Sequence, residues 1–254
     1  MIFDSHAHYD DEAFNDDRDE VLCEVKKSGV GYIVNAGTNI ESSRVSVELA
    51  KKYDFIYAAI GVHPQDAGTF EKNTIDLLSG LAKEARIVAI GEIGLDYYYE
   101  GSESSVQKSV FEEQIRLALD LNMPIIVHDR EAHGDTFDII KKYIGRGLRG
   151  VLHCYSGSTE MALRYIDMGF YLGFTGVITF KNAKKSIDVL KEIPIDKILI
   201  ETDCPYLAPI PFRGKRNDSR YLSHVVERAC EVLNLEHDYF KDKTCSNARK
   251  LFNI

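Results

Sequence analysis

Eight short, almost wholly apolar runs recur along this sequence, separated by longer segments with helical periodicity. The runs are Met1–Asp4, Gly31–Asn35, Phe55–Gly61, Ile87–Ile90, Pro124–Val127, Gly150–Leu152, Phe170–Phe174 and Lys197–Ile200, all rich in β-branched or aromatic residues. Continuous rather than alternating apolar character is what parallel strands covered on both faces require. Between the runs, Asp19–Lys27, Ser42–Lys52, Thr74–Ala85, Val106–Leu121, Thr136–Tyr143, Thr159–Met168 and Ala183–Leu190 repeat apolar residues at three-and-four spacing, the mark of a helix with one buried stripe. Eight strand–helix units predict an α/β fold, a closed (β/α)8 TIM barrel with extra C-terminal helices. The alternative, an open doubly wound sheet, lacks the Gly-x-Gly-x-x-Gly expected after its first strand. No linker or low-complexity stretch interrupts the pattern, so residues 1–254 read as a single domain.

Composition narrows the partners. The formal net charge is −9, so no global positive field draws in nucleic acid, and a phosphate-bearing substrate must be met by a local basic patch or by metal ions. The five cysteines, at 23, 154, 204, 230 and 245, include no Cys-x-x-Cys pair, which points to free thiols in a reducing cytosol rather than a disulfide framework or a thiolate zinc site. No basic segment followed by an apolar core opens the sequence, and no apolar run approaches membrane-spanning length. A cytoplasmic protein with no membrane contact and no obligate protein partner is expected.

The polar residues that follow the runs carry the chemistry. His6 and His8 follow the first run, Asn35 ends the second, and His63, Glu92, His128, His153 and Asp203 follow the third, fourth, fifth, sixth and eighth. Any one of them has an ordinary explanation: His63 before Pro64 as a turn residue, His128 or His153 as a hydrogen-bonded core histidine, Asp203 as a turn cap. In a barrel, however, all these strand ends converge on the C-terminal face, where active sites of this fold are built. Four of these histidines, His6, His8, His128 and His153, and the two acids at one mouth, with the His6-x-His8 pair aimed together by strand alternation, have divalent metal binding as their simplest common cause.

Six segments also resemble a known motif set. Asp4–His8, Gly61–Pro64, Gly91–Tyr97, Val127–Arg130, His153–Gly157 and Glu201–Pro209 look like the motifs of the TatD family of metal-dependent deoxyribonucleases, and the likeness runs on to Asn247–Phe252. One departure is Ser219, where the family's usual Arg-Gly-Lys-Arg-Asn loop is followed by a proline; that is expected to touch loop rigidity, not the ligands. The resemblance implies two divalent ions per chain, one held by His6, His8, Glu92 and Asp203, the other by Glu92, His128 and His153, with Glu92 bridging. A carboxylate can span the separation of about 3.5–4 Å usual in two-metal sites. Related amidohydrolase barrels often bridge with a carbamylated lysine, but no lysine stands in Ile87–Leu95.

Two dications outweigh the two carboxylates, so an anionic phosphodiester is favoured at the mouth. Asp203 is expected to act both as ligand and as proton acceptor for the attacking water, and Glu201, on the same strand, to orient the site from behind. His63 is expected to contact a substrate phosphate or the leaving oxygen. The loop residues Arg213, Lys215, Arg216 and Asn217 read as a clamp for flanking phosphates, and one or two of Tyr97, Tyr98, Tyr155 and Tyr206 as base-stacking rings. The mixed shell does not choose among magnesium, manganese, zinc and similar ions. The predicted activity is 3′-to-5′ exonuclease hydrolysis of single-stranded DNA, with RNA as a second substrate. A hydrolase of another bond on the same scaffold, such as an aminoacyl-tRNA ester or an amide, is the alternative. A barrel that has lost catalysis is disfavoured because all six ligands are present.

Overall fold

Each apolar run becomes a strand in the computed structural model, which describes residues 1–254. The strands are β1 (Ile2–Ala7), β2 (Val30–Ala36), β3 (Ile56–Ile60), β4 (Ile87–Asp96), β5 (Ile125–Arg130), β6 (Gly150–Leu152), β7 (Tyr171–Phe174) and β8 (Ile198–Ile200). They pair in parallel in sequence order from β1 to β8. Helices α1 (Arg18–Lys27), α2 (Ile40–Lys52), α3 (Thr74–Leu81), α4 (Ser104–Asp120), α5 (His133–Tyr143), α6 (Thr159–Asp167) and α7 (Lys184–Glu192) return the chain between successive strands. Two further helices, α8 (Leu222–Leu233) and α9 (His237–Phe252), follow β8. No helix is long and apolar enough to cross a membrane.

Side chains close the seam between β1 and β8. The buried Asp4 carboxylate accepts from the Thr202 backbone N–H (2.9 Å) and hydroxyl (2.7 Å), and Ser5 donates to the Ile200 carbonyl (3.1 Å). Ser219 joins this seam. Its hydroxyl lies 2.6 Å from Asp4 and 2.8 Å from the Tyr9 hydroxyl, and its N–H donates to Tyr9 (2.9 Å). The departure at 219 therefore touches barrel closure as well as the loop, because a proline has neither of those donors.

The apolar residues divide into two bodies. The larger joins outward strand residues such as Ile33, Ile56 and Ile60 to helix residues such as Leu22, Val47, Phe111 and Ile115. The smaller fills the barrel interior with Phe3, Val34, Ala36, Ala59, Ala89, Ile126, Val151, Tyr171 and Leu199, and Leu251 and Phe252 of α9 pack onto it. That interior is the floor on which the polar mouth rests.

Candidate metal centre

Strand parity explains half of the site directly. Ala59, Ile126, Val151 and Leu199 point into the barrel, so His63, His128, His153 and Asp203, an even number of residues farther on, face the same interior as their chains leave the sheet. His6, His8 and Glu92 do not follow from that count, because the interior residues of their strands are Phe3 and Ala89. The ladder supplies the missing step. Register shifts fall between Asp4 and Ala7 in β1 and between Ile90 and Ile93 in β4, and a one-residue slip exchanges the two faces of a strand.

Four donor atoms meet as a result. His6 Nε2 lies 2.9 Å from His8 Nε2, 3.3 Å from Glu92 Oε2 and 3.6 Å from Asp203 Oδ1. His8 Nε2 is 3.5 Å from Glu92 Oε2 and 3.4 Å from Asp203 Oδ1. Around a four-coordinate ion with bonds of about 2.1 Å, neighbouring donors sit about 3.4 Å apart. The His8 ring is also set in the right tautomer: its Nδ1–H donates to the Ala36 carbonyl at 2.8 Å, leaving Nε2 as a lone pair. At 2.9 Å the two Nε2 atoms must share either a proton or a cation. The donor set fits a divalent metal.

The other oxygen of Glu92 gathers a second group. Glu92 Oε1 is 2.8 Å from His128 Nδ1, 3.6 Å from His153 Nε2 and 3.8 Å from His63 Nε2. The potential ligand atoms draw together as three triplets: His6 with His8 and Asp203, His6 with Glu92 and His153, and His63 with Glu92 and His128. Glu92 thus presents one oxygen to each half of the cluster. His153 leans toward His6, their rings stacked with centroids 3.8 Å apart, while His63, outside the ligand set that the resemblance implied, stands edge-on to His128 with centroids 4.4 Å apart.

Behind these groups stands a layer of acids. Glu201 Oε1 accepts from His153 Nδ1 (2.9 Å) and from the Cys154 N–H (2.6 Å), and Ser5 donates to Oε2 (3.2 Å). Gly173 makes room for it, since a Cβ there would lie 2.4 Å from Glu201 Oε2. Asp96, given no role from the sequence, accepts from His128 Nε2 at 3.0 Å. A signal for it existed: if β4 is extended beyond Ile90, Glu92, Gly94 and Asp96 share one face.

Charge in the metal-free centre is balanced by the histidines. Burial pushes the Glu92 carboxyl up, but the neighbouring imidazoles of His6, His153 and His63 and the hydrogen bond with His128 outweigh it and hold it well below the usual carboxylate range. Asp203 is likewise held down, against burial, by His153, His8 and His6. Against the opposing effect of burial, Asp96 and Glu92 bring His128 up to about 9, and Glu201, Asp203 and Glu92 do the same for His153. Burial drives His63 down to about 3, so its ring is neutral. Because His63 Nδ1 accepts the Gln65 N–H at 3.2 Å, its proton sits on Nε2 and points toward the cluster.

The cluster opens into a cavity of about 1070 Å³ whose rim includes Tyr99, Arg130, Tyr206, Arg213 and Lys215. Arg213 lies over the Phe180 ring and Lys215 near Phe212. The other two residues of the expected clamp point elsewhere. Arg216 makes a two-pronged ion pair with Asp17 (2.6 and 2.8 Å) and donates to the Ala13 carbonyl (2.6 Å). Asn217 is buried and donates to the carbonyls of Thr202 (3.0 Å) and Tyr206 (2.7 Å). Both brace the loop. Of the tyrosines, Tyr97 donates to Asp135 and Tyr155 is buried with its hydroxyl on the Ser158 carbonyl. Tyr206 stands on the rim with its hydroxyl on Asp11 (2.8 Å), and Tyr98 lies under Arg130.

Residues 3–253 match the family model described as TatD related DNase. The chain belongs to the TatD family. It is 43% identical over 254 residues to the uncharacterized metal-dependent hydrolase YabD of Bacillus subtilis, with 100% of both chains covered. It is 33% identical over 258 residues to the 3′-5′ ssDNA/RNA exonuclease TatD of Citrobacter koseri, covering 100% of this chain and 99% of that one. The crystal structure of YJJV, a TatD homolog from Escherichia coli, superposes with a TM-score of 0.94 at 30% identity, covering 100% of this chain and 98% of the other. As a TatD-family member, the protein is a metal-dependent hydrolase in class, and the donor cluster is the part of it suited to hold the metal.

Proposed function

We propose that this TatD-family protein is a 3′-to-5′ exonuclease that hydrolyses phosphodiester bonds at single-stranded ends of DNA and RNA. The observation that carries the reading is the pairing of the donor cluster with a cavity lined by the cations Arg130, Arg213 and Lys215, which form no ion pair with any carboxylate, whereas Arg216 and Arg220 of the same loop region do. A polyanion entering the cavity meets positive charge that is not already spent. The name of the Citrobacter koseri relative agrees with this substrate.

His6, His8, Glu92 and Asp203 would hold one divalent ion, and Glu92 with His128 and His153 a second. Ions so placed supply Lewis acidity toward a phosphoryl oxygen and lower the pKa of water. The chain's own residues do the rest. Asp203, ionised and at the cavity wall, accepts the proton of the attacking water. The Nε2–H of neutral His63 donates to a phosphate or leaving oxygen, the role expected for it from sequence. Asp96 and Glu201 fix His128 and His153, and Arg213 and Lys215 hold phosphates flanking the scissile bond.

The deciding experiment incubates metal-loaded protein with 5′-labelled single-stranded oligonucleotides, free or blocked at the 3′ end, and with aminoacyl-tRNA. Stepwise shortening from a free 3′ end, stopped by chelator and by the block, is the expected result, together with about two divalent ions per chain. Hydrolysis of the aminoacyl ester with intact oligonucleotides would replace this reading by the alternative, and undiminished activity in excess chelator would overturn both.

A further inference from the structure

On the β4–β5 side of the cavity, opposite the loop that carries Arg213 and Lys215, stand two tyrosines that packing does not explain. Tyr98 and Tyr99 are 59% and 55% exposed, and their rings meet edge to face with centroids 4.8 Å apart. The Arg130 guanidinium lies over both, 4.6 Å from the Tyr98 ring and 5.9 Å from the Tyr99 ring, and Tyr99 and Arg130 line the cavity. Neither ring fills the core.

The platform is nonetheless rigidly placed relative to the metal ligands. Asp96 Oδ1 accepts the backbone N–H groups of Tyr98 (2.9 Å) and Tyr99 (3.0 Å), while Asp96 Oδ2 takes His128 Nε2 (3.0 Å), whose Nδ1 meets Glu92 (2.8 Å). One carboxylate therefore ties the tyrosine loop to the centre through two further hydrogen-bonded groups. Aromatic rings backed by a guanidinium, exposed and fixed beside a phosphodiester site, have the chemistry of a base-stacking surface.

We propose that Tyr99, supported by Tyr98 and Arg130, forms a subsite that stacks one nucleobase of the substrate at a set distance from the scissile phosphate. The inference rests on the nuclease reading above and adds a positional demand: one base of the strand must be present, whatever its identity. Arg130 contributes a second contact, to the phosphate of the stacked nucleotide.

The test uses metal-loaded protein and oligothymidylates with a single abasic residue moved stepwise inward from the 3′ end. Dissociation constants come from fluorescence anisotropy on phosphorothioate-linked strands, and kcat and KM from the natural linkage. The wild type should lose about 10-fold in affinity when the abasic residue occupies one position and little at the others. Tyr99→Ala should weaken binding of the intact strand by the same factor, raise KM with kcat nearly unchanged, and flatten the abasic profile; Tyr99→Phe should restore it. The exposure of Tyr99 keeps these variants folded. A wild type that cleaves with a flat profile, or a Tyr99→Ala protein that binds like wild type, overturns the subsite and leaves the nuclease reading standing. A wild type that shows the profile but cleaves no phosphodiester does the reverse, and one that neither binds nor cleaves overturns both.

Discussion

At the scale of single residues, Glu92 is the position on which both halves of the cluster depend. Glu92→Ala removes the one side chain that offers an oxygen to each, so metal content by elemental analysis should fall by more than one ion per chain and hydrolysis should drop to background. Glu201 acts one step farther out. Glu201→Gln keeps its size but weakens the acceptor for His153 Nδ1, and a 10- to 100-fold loss of metal affinity is about what removal of such a support costs, measurable by calorimetric titration. Gly173→Ala should give a similar loss with every ligand intact, because its Cβ would displace the same carboxylate. Protonation separates the metal-free and metal-loaded proteins. His128 and His153 are raised to about 9 when folded, against about 6.5 in an unfolded chain. Their contribution to metal-free stability is therefore fully present below pH 6.5 and is lost as pH rises through about 9. Ligation needs the same rings deprotonated. Melting curves should show chelated protein losing stability from pH 6.5 to 9 while the added stabilisation by metal grows over that range; a parallel pH trend in the two forms would contradict the assignment of these rings as ligands.

At the scale of elements, the loop after β8 separates clamp from brace. Lys215→Ala should raise KM and reduce the salt dependence of binding by about 0.7 in logarithmic slope, one phosphate contact on a single strand. Arg216→Ala should leave that slope unchanged and cost about 0.2–1 kcal/mol in urea melts, since its pair with Asp17 is part-exposed. How much of this was legible follows the same division. The barrel could be read because parallel strands with two covered faces leave a run of apolar residues whatever their neighbours. His128, His153 and Asp203 could be read because their strands keep regular parity into the mouth. His6 and Glu92 were found as strand-end residues, but they lie within longer strands, β1 and β4, and face inward only through register shifts that depend on the neighbouring strands. Arg216 was misplaced for a related reason: its partner Asp17 lies on the far side of the sequence, and no local pattern shows that a basic loop residue is already engaged. Nothing local marks Tyr99 apart from Tyr98 as a stacking ring, because which of two adjacent tyrosines faces the cavity is a tertiary property.

At the scale of the whole molecule, chemistry and cohesion occupy opposite ends of one barrel. The interior below the metal centre mixes the small Ala36, Ala59 and Ala89 with the larger Phe3, Ile126, Tyr171 and Leu199. Its lower opening is sealed by α9. Phe252 is 3% exposed there and stacks on Phe3 with ring centroids 6.0 Å apart and planes 20° from parallel. Phe252→Ala leaves a cavity at that seal, and a cost of about 3–5 kcal/mol is usual for truncating a buried phenylalanine. None of the ligands or their supporting acids lies on α9, and the lower face of a barrel contributes stability rather than catalysis. The variant should therefore unfold at markedly lower temperature or urea concentration, yet at a temperature where it is fully folded it should keep wild-type metal affinity and kcat. A kcat that falls while circular dichroism remains native would mean that the floor sets the position of the ligands above it, and that the two ends of the barrel are coupled through the packed interior between them.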